Sequence, residues 1–267
     1  MKGDGLELAV TEVGSGPPVL LLHGFPDRAD LWRHQIEALA PSFRVIAPDL
    51  RGFGDSDKPD DVDEYRVGRS VADMVALLDA LEIERAHVVG HDWGAAVAWA
   101  FALMAPDRLD RLAVLSVGHP TPYQRYTVAE REKAWYMLLF QFPEAEALLR
   151  RDDWALLRAW AATHPELDRV IADAERPGAL TPMLNWYRAN VHPAGELDPI
   201  RGLEPVQADT LGIWSSGDAY LLERAMLESG EQVSGTWRYE RIEVAGHWLQ
   251  LDAPERVNAL LLDHLGA

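Results

Sequence analysis

The chain contains no cysteine. That excludes disulfide frameworks, thiolate metal sites and thiol nucleophiles. Lysine is nearly as scarce, standing only at positions 2, 58 and 133. Positive charge as a whole is short: 25 basic residues face 43 acidic ones, a formal net charge of −18. A surface of that sign repels nucleic acid and anionic membranes, so neither is expected as a partner. No run reaches the roughly 18 apolar residues of a membrane span. The stretch Met1-Lys2-Gly3-Asp4-Gly5-Leu6-Glu7 lacks the apolar core of a signal peptide. The expectation is a soluble, cytoplasmic protein. No glycine-rich run leads into Lys-Ser or Lys-Thr, so nothing reads as a phosphate loop. His87 and His91 flank a strand end rather than share a helix face, and so make a poor metal pair. No cofactor and no metal are expected.

What is present is ordinary globular material: 267 residues, 48% hydrophobic and 25% charged, enough for a sizeable core. Residues 6–13 alternate weakly and read as an edge strand. Val19-Leu20-Leu21-Leu22 is a short, wholly apolar run of the buried parallel kind, and 43–47, 86–89 and 111–117 repeat the pattern. Between them, 31–39, 71–81 and 95–105 carry apolar residues at helical spacing. This β-α-β alternation predicts an α/β fold, a mostly parallel sheet with helices on both faces. From about 120 to 200 convincing strands stop; the segment is helical, aromatic and broken by prolines at 143, 165, 177, 182, 193 and 199. Strands return at 210–215 and 239–244, and a helix over 254–265 closes the chain. The reading is one core domain, 1–119 and 201–267, with a helical cap over 120–200 inserted between two of its strands.

The chain is organised around Val88-Val89-Gly90-His91-Asp92-Trp93-Gly94-Ala95-Ala96. A β-branched run, a small-X-acid-X-small pentapeptide and an alanine-rich helix in direct succession match the strand–turn–helix geometry of a nucleophile elbow. The glycines at 90 and 94 answer to tight packing or an unfavourable φ. Asp92 then sits at the tip, over a helix N-terminus that favours an anion, and Asp is a known covalent nucleophile. The plainer alternative is that Asp92 only caps the helix. A carboxylate nucleophile needs a base to activate water, and the base needs an orienting acid. His247, in Gly246-His247-Trp248, and Asp218, in Ser216-Gly217-Asp218, each follow an apolar strand. Catalytic groups collect at the carboxyl ends of such strands, and the chain order is nucleophile, acid, histidine. The end of the 111–117 strand reads Ser116-Val117-Gly118-His119 and offers no carboxylate, which leaves Asp218 as the acid.

On these residues the chain resembles the α/β-hydrolase superfamily over essentially its whole length, and within it the soluble epoxide hydrolases. The family's His-Gly-X-Pro motif stands as His23-Gly24-Phe25-Pro26, and its Gly-His-Asp-Trp-Gly elbow as residues 90 to 94. The resemblance implies an oxyanion hole from the N–H groups of Phe25 and Trp93, a cis Phe25-Pro26 bond, and substrate-binding roles for His23, Phe25, Pro26, Trp93 and Trp186. Preorganised donors of this kind are worth ~3 kcal/mol each. The Asp-X-Arg-Gly-X-Gly loop at 49–54 also matches and reads as structural. Opening an epoxide leaves an oxygen that must be protonated, and a phenol with a pKa of about 10 is a protonated donor at neutral pH. Two sites look like the family's paired cap tyrosines: Tyr136, ahead of Phe140-Gln141-Phe142-Pro143, and Tyr187, in Asn185-Trp186-Tyr187-Arg188. The first run departs from the family's pattern, which carries an acid where this chain has Phe142. Tyr123 and Tyr126 are spare candidates.

The resemblance implies an epoxide hydrolase that needs only water and a small apolar epoxide, working as monomer or homodimer through an ester on Asp92. Haloalkane and haloacid dehalogenases share the fold, the Asp nucleophile and the Trp after it. Some of them carry Asn where this chain has Phe25, or Arg after the nucleophile, and this chain has neither. Ester hydrolysis through an acyl-enzyme calls for Ser at position 92, and a silent binding protein has no use for the full catalytic set.

Overall fold

A computed structural model describes residues 1, 5–123, 127–191 and 204–267. Tyr126, the prolines at 193 and 199, and the expected end of the cap at 200 lie outside the described residues. Seven strands, β1 (Val10–Val13), β2 (Pro18–Leu22), β3 (Arg44–Pro48), β4 (Ala86–His91), β5 (Leu109–Leu115), β6 (Asp209–Ser215) and β7 (Trp237–Ile242), form one sheet among the described residues. Their order is β1-β3-β2-β4-β5-β6-β7. Only β1 runs antiparallel, at the edge against β3; β2 to β7 are parallel. The fold is the α/β class read from the alternation.

Side chains alternate across a strand, and the cores follow that rule. Leu20, Leu22, Val88, Leu112 and Val114 belong to the hydrophobic cluster on one face. Val19, Leu21, Val89, Ala113, Leu115, Leu211 and Ile213 belong to the cluster on the other. Because both faces are covered, the central strands read as unbroken apolar runs. The helices α1 (Arg33–Leu39), α2 (Val67–Ala80) and α3 (Trp93–Met104) fill the crossovers. α3 is apolar on nearly every side and correspondingly buried.

Between β5 and β6 the chain forms α4 (Pro120–Tyr123), α5 (Val128–Lys133), α6 (Trp135–Leu139), α7 (Ala145–Trp160), α8 (Leu167–Glu175) and α9 (Leu180–Asn190). α10 (Glu223–Glu228) follows β6; α11 (Leu249–Asp252) and α12 (Pro254–Leu265) follow β7. Several boundaries differ by a few residues from the sequence reading; β5, for one, spans Leu109–Leu115 rather than 111–117. β1 is shorter than 6–13, because only its last four residues pair with β3. β7 ends at Ile242; Val244 has φ 72° and is 90% exposed, where the chain turns toward His247.

The register lines up the strand ends: Leu22 opposite Gly90, His91 opposite Leu115, Leu115 opposite Ile213 and Ser215 opposite Ile242. The residues that follow β2, β4, β5, β6 and β7 therefore emerge on one rim. The loop at 49–54 braces that rim. The Asp49 carboxylate accepts from the N–H groups of Ala29 and Asp55 at 2.8 and 2.9 Å. Arg51, fully buried, donates from Nε and Nη2 to the two oxygens of Asp73 at 2.7 and 2.9 Å. Removing one partner of such a pair strands a buried charge. Asp73→Ala is expected to cost about 3 kcal/mol, read as a lower midpoint in urea denaturation with unchanged slope.

Candidate active site

The site is built outward from the turn between β4 and α3. Asp92 adopts φ 53°, ψ −122°, a conformation that costs a non-glycine residue on the order of 1–3 kcal/mol. The flanking glycines have ordinary φ; the positive φ falls on Asp92 itself. What Gly90 and Gly94 supply is room. A Cβ on Gly90 would run into the Gly94 carbonyl, and one on Gly94 into the carbonyls of Leu22 and His23. The Asp92 side chain makes no capping bond to its own helix. It turns to the β2 loop, where Oδ1 accepts from the Phe25 N–H at 2.8 Å. The Phe25–Pro26 peptide is cis. The Trp93 N–H, at the first position of α3, has no acceptor within its helix.

Three of the strand ends converge here. Asp92 Oδ2 lies 3.6 Å from His247 Nε2, and His247 Nδ1 lies 2.9 Å from Asp218 Oδ2. The other Asp218 oxygen accepts from the N–H groups of Tyr220 and Leu221 at 2.8 and 2.9 Å. Burial alone would push His247 down and Asp218 up; their mutual attraction and hydrogen bond win in both cases. Asp218 is held below the usual carboxylate range. His247, between two carboxylates, is raised to about 10.

Above the turn, Tyr136 and Tyr187 come down from α6 and α9. Their ring centroids are 5.9 Å apart at 80°, and Tyr187 stands edge-on to Trp93 at 5.2 Å. Asp92, Trp93, Tyr136 and Tyr187 line one cavity of about 60 Å³, with Tyr123 and Leu221 also on its wall. A larger trough of about 260 Å³ shares Trp93, Ala96, Val117 and Tyr123 with it and runs along α3. Burial first, and then the Asp92 charge, push the Tyr187 phenol well above its ordinary value, so it holds its proton. α9 is anchored on either side of Tyr187. The Trp186 indole N–H donates to the Arg51 carbonyl at 3.0 Å, and Asn190 Nδ2 donates to the Tyr65 carbonyl at 2.8 Å.

Three residues of the sequence-predicted binding set stand one layer back. His23 Nε2 accepts from the Leu50 N–H at 2.9 Å, and Nδ1 then donates to the Gly24 carbonyl at 3.0 Å, so both ring nitrogens are spent on bracing the loop. Pro26 turns that loop. Trp186 is fully buried, its ring centroid 5.7 Å from that of Trp93 and 5.8 Å from that of Phe53. Phe25 contributes its N–H to Asp92 and its ring edge-on to Tyr187 at 5.3 Å.

Sequence reasoning missed Asp27. This buried carboxylate accepts from the Trp248 indole N–H at 2.9 Å, from Arg169 Nη2 at 2.8 Å, and lies 3.2 Å from His164 Nε2. It joins the β2 loop, the residue after His247 and the inserted helices at one point. Burial would raise it, yet His164 and Arg169 hold it down to about 2. The signal in the sequence was an acid directly after Phe25-Pro26, inside an otherwise buried loop. Among the described residues, no group of three His, Cys, Asp or Glu is arranged to hold a metal, and no helix is long and apolar enough to cross a membrane.

Comparison with known proteins places this geometry in a family. Residues 17–254 match the α/β hydrolase fold family. The chain is 33% identical over 289 residues to epoxide hydrolase 3 of Xenopus tropicalis, covering 99% of this chain and 76% of that one. It is 35% identical over 308 residues to epoxide hydrolase A of Mycobacterium tuberculosis, covering 98% and 95%. A crystal structure of the Bacillus megaterium epoxide hydrolase in complex with an inhibitor superposes with a TM-score of 0.90 at 26% identity, over 100% of this chain and 99% of that one. The chain is thus a hydrolase that belongs to the α/β-hydrolase superfamily and, within it, to the epoxide hydrolase family.

Proposed function

We propose that this protein hydrolyses apolar epoxides to vicinal diols through a covalent ester on Asp92. The observation that carries the reading is the pair of tyrosines, Tyr136 and Tyr187, facing the Asp92 carboxylate across one small apolar cavity. A nucleophile on one wall and phenol donors on the other suit a strained ring whose carbon is attacked as its oxygen departs.

The geometry divides the labour between the two Asp92 oxygens. Oδ1 is engaged by the Phe25 N–H, so Oδ2 is the one free to attack ring carbon. The carbon–oxygen bond of the ring breaks, and the alkoxide takes a proton from a tyrosine phenol. Oδ1 becomes the ester carbonyl oxygen, already seated against Phe25. In the resting state Asp92 helps to keep His247 protonated. Esterification removes that carboxylate charge and lowers the His247 pKa, so the ring gives its proton through solvent to the tyrosinate and, now neutral, can accept one from water. Asp218 keeps the ring oriented. Hydroxide then attacks the ester carbonyl, the N–H groups of Phe25 and Trp93 stabilise the oxyanion, and the diol leaves. The departing alkoxide takes the proton of the added hydroxyl, and His247 keeps the one drawn from water, which restores the resting state. In this reading α4 to α9 act as a cap that carries the acid, Trp93 lines an apolar site, and Phe25 and Trp186 pack against the rings that shape it.

Dehalogenation is the rival chemistry, because Trp93 stands beside Tyr187 on the wall of the cavity that Asp92 lines, where an indole N–H suits a departing halide. The deciding assay offers the protein aryl and alkyl epoxides alongside matched haloalkanes and haloacetate, with Asp92→Ala as the blank. Diol without halide, abolished in a folded Asp92→Ala variant, is the expected result; halide without diol makes Trp93 the central binding residue and overturns the tyrosine argument. With His247→Gln, mass spectrometry is expected to find an adduct equal to the substrate mass.

Tyr187→Phe removes one donor to the departing oxygen and is expected to slow alkylation by roughly 10²-fold, with ester hydrolysis much less affected in single-turnover kinetics. The opposite order would show that Tyr187 serves the second step. The Asp218–His247 pair also predicts a pH dependence. The folded pKa of His247 is raised, from 6.5 to about 10, so the contribution of its charge to stability is complete below pH 6.5 and is lost as the pH rises through about 10, while that of Asp218 is lost only at acid pH. Asp218→Asn is expected to bring the His247 titration, followed by NMR, down toward its ordinary value and to slow the hydrolytic step. An unmoved midpoint would assign the shift to another group.

A further inference from the structure

The loop that carries His247 is held through three successive carbonyl oxygens. That of Ala245 accepts from the Gly217 N–H at 3.0 Å, and that of Gly246 from Ser215 Oγ at 2.6 Å. The carbonyl of His247 itself takes two partners: Ser116 Oγ donates to it at 3.1 Å, and His91 Nε2 lies 2.9 Å away. The first two donors come from the end of β6, the others from the ends of β5 and β4. Hence the general base is gripped from three strands besides its own.

The His91 contact fixes a tautomer. A carbonyl oxygen only accepts, so Nε2 carries the proton. His91 is fully buried, and burial lowers it to about 4, so the ring holds a single N–H at neutral pH. Nδ1 is then bare, buried and without a hydrogen-bond partner. The opposite tautomer would set two lone pairs against each other at 2.9 Å. Ser116 bears a cost of its own, a φ of 67° on a non-glycine residue. A histidine whose other ring nitrogen is left unpartnered and a left-handed serine, from two different strands, serve the same oxygen.

We propose that His91 and Ser116 are positioning residues for the hydrolytic half-reaction: they clamp the main-chain carbonyl of His247 so that Nε2 meets the ester while Asp218 fixes the ring's rotation. This rests on the covalent reading above. The Asp218 bond fixes the ring's rotation but not the position of the main chain at His247 itself, and a displacement near 1 Å can cost about 10²-fold in rate. Alkylation uses Oδ2 of Asp92 and the tyrosine phenols, while both clamp contacts end on the main-chain carbonyl of His247, so the two half-reactions should respond differently.

The test combines single-turnover and steady-state kinetics for His91→Phe, His91→Gln and Ser116→Ala. His91→Phe keeps the volume and loses the donor; hydrolysis of the ester is expected to fall between roughly tenfold and 10²-fold, with alkylation unchanged. The alkyl-enzyme then accumulates, and KM falls together with kcat. His91→Gln, whose amide N–H reaches the position of Nε2, is expected to recover most of the rate. Ser116→Ala is expected to lose about fivefold, the worth of one neutral hydrogen bond, and keeps the kinetics decisive if His91→Phe does not fold. Alkylation falling in step with hydrolysis, hydrolysis left unchanged, or a Gln variant as slow as the Phe variant would each overturn the clamp. Nitrogen-15 NMR of the wild-type protein tests it without any substrate: His91 is expected as the Nε2–H tautomer, and a proton on Nδ1 would refute the proposal. A wild-type protein that forms no ester with any epoxide would instead refute the covalent reading, and the tautomer measurement would still decide the clamp.

Discussion

A carboxylate held at φ 53° on the tip of a strand-to-helix turn is the constraint on which the site depends. The turn is tight enough that neither Gly90 nor Gly94 can carry a side chain. Its tightness lifts Asp92 clear of β4 and aims it sideways, toward the Phe25 N–H, rather than back onto its own helix. The strain at Asp92 is sustained by what surrounds it: β4 sits at the centre of the sheet, and α3 is buried along its own alanines, Trp99 and Phe101. An exposed turn with the same dihedrals would relax.

The second theme is how a chain of strongly negative net charge buries carboxylates beneath its catalytic rim. Asp218 is opposed by His247, Asp73 by Arg51, and Asp27 by His164, Arg169 and the Trp248 indole. Each is satisfied by several donors, as burial of charge requires. Asp27 reaches furthest, because its partners belong to the inserted helices and to the loop of the base. Arg33 with Glu166 and Arg169 with Asp30 continue that seam at the surface. The seam ties one edge of the insertion to the core by charge. Around Trp93, Ala96, Val117 and Tyr123 the boundary is apolar and opens into a trough. An apolar ligand has a matching surface on that side only of these two.

Legibility differed between the core and the insertion. The parallel strands, the elbow and the order Asp92, Asp218, His247 could be read because each depends on local pattern: apolar runs of fixed length, glycines at a close approach, and residues immediately after strands. The resemblance added Tyr136 and Tyr187, and the structure brings both to the cavity that Asp92 lines. It also implied binding roles for His23, Pro26 and Trp186, which stand behind that cavity, since motif membership does not distinguish a wall from its brace. Ser116 was passed over because the strand end was searched for a carboxylate, and a hydroxyl acting on a carbonyl leaves no such mark.

The amino-acid sequence by itself determined the class of fold, the elbow and the carboxylate at its tip, because periodicity, turn residues and side-chain type are properties of neighbouring positions. Only the tertiary structure decided which oxygen of Asp92 meets the Phe25 N–H, which nitrogen of His91 faces the His247 carbonyl, and that Asp27 joins three segments at once. Those depend on contacts such as Phe25 to Asp92, His91 to His247 and Asp27 to Trp248, separated by 67, 156 and 221 positions along the chain. Hydrogen bonding between groups so far apart is set by strand register and loop packing, which no local pattern encodes.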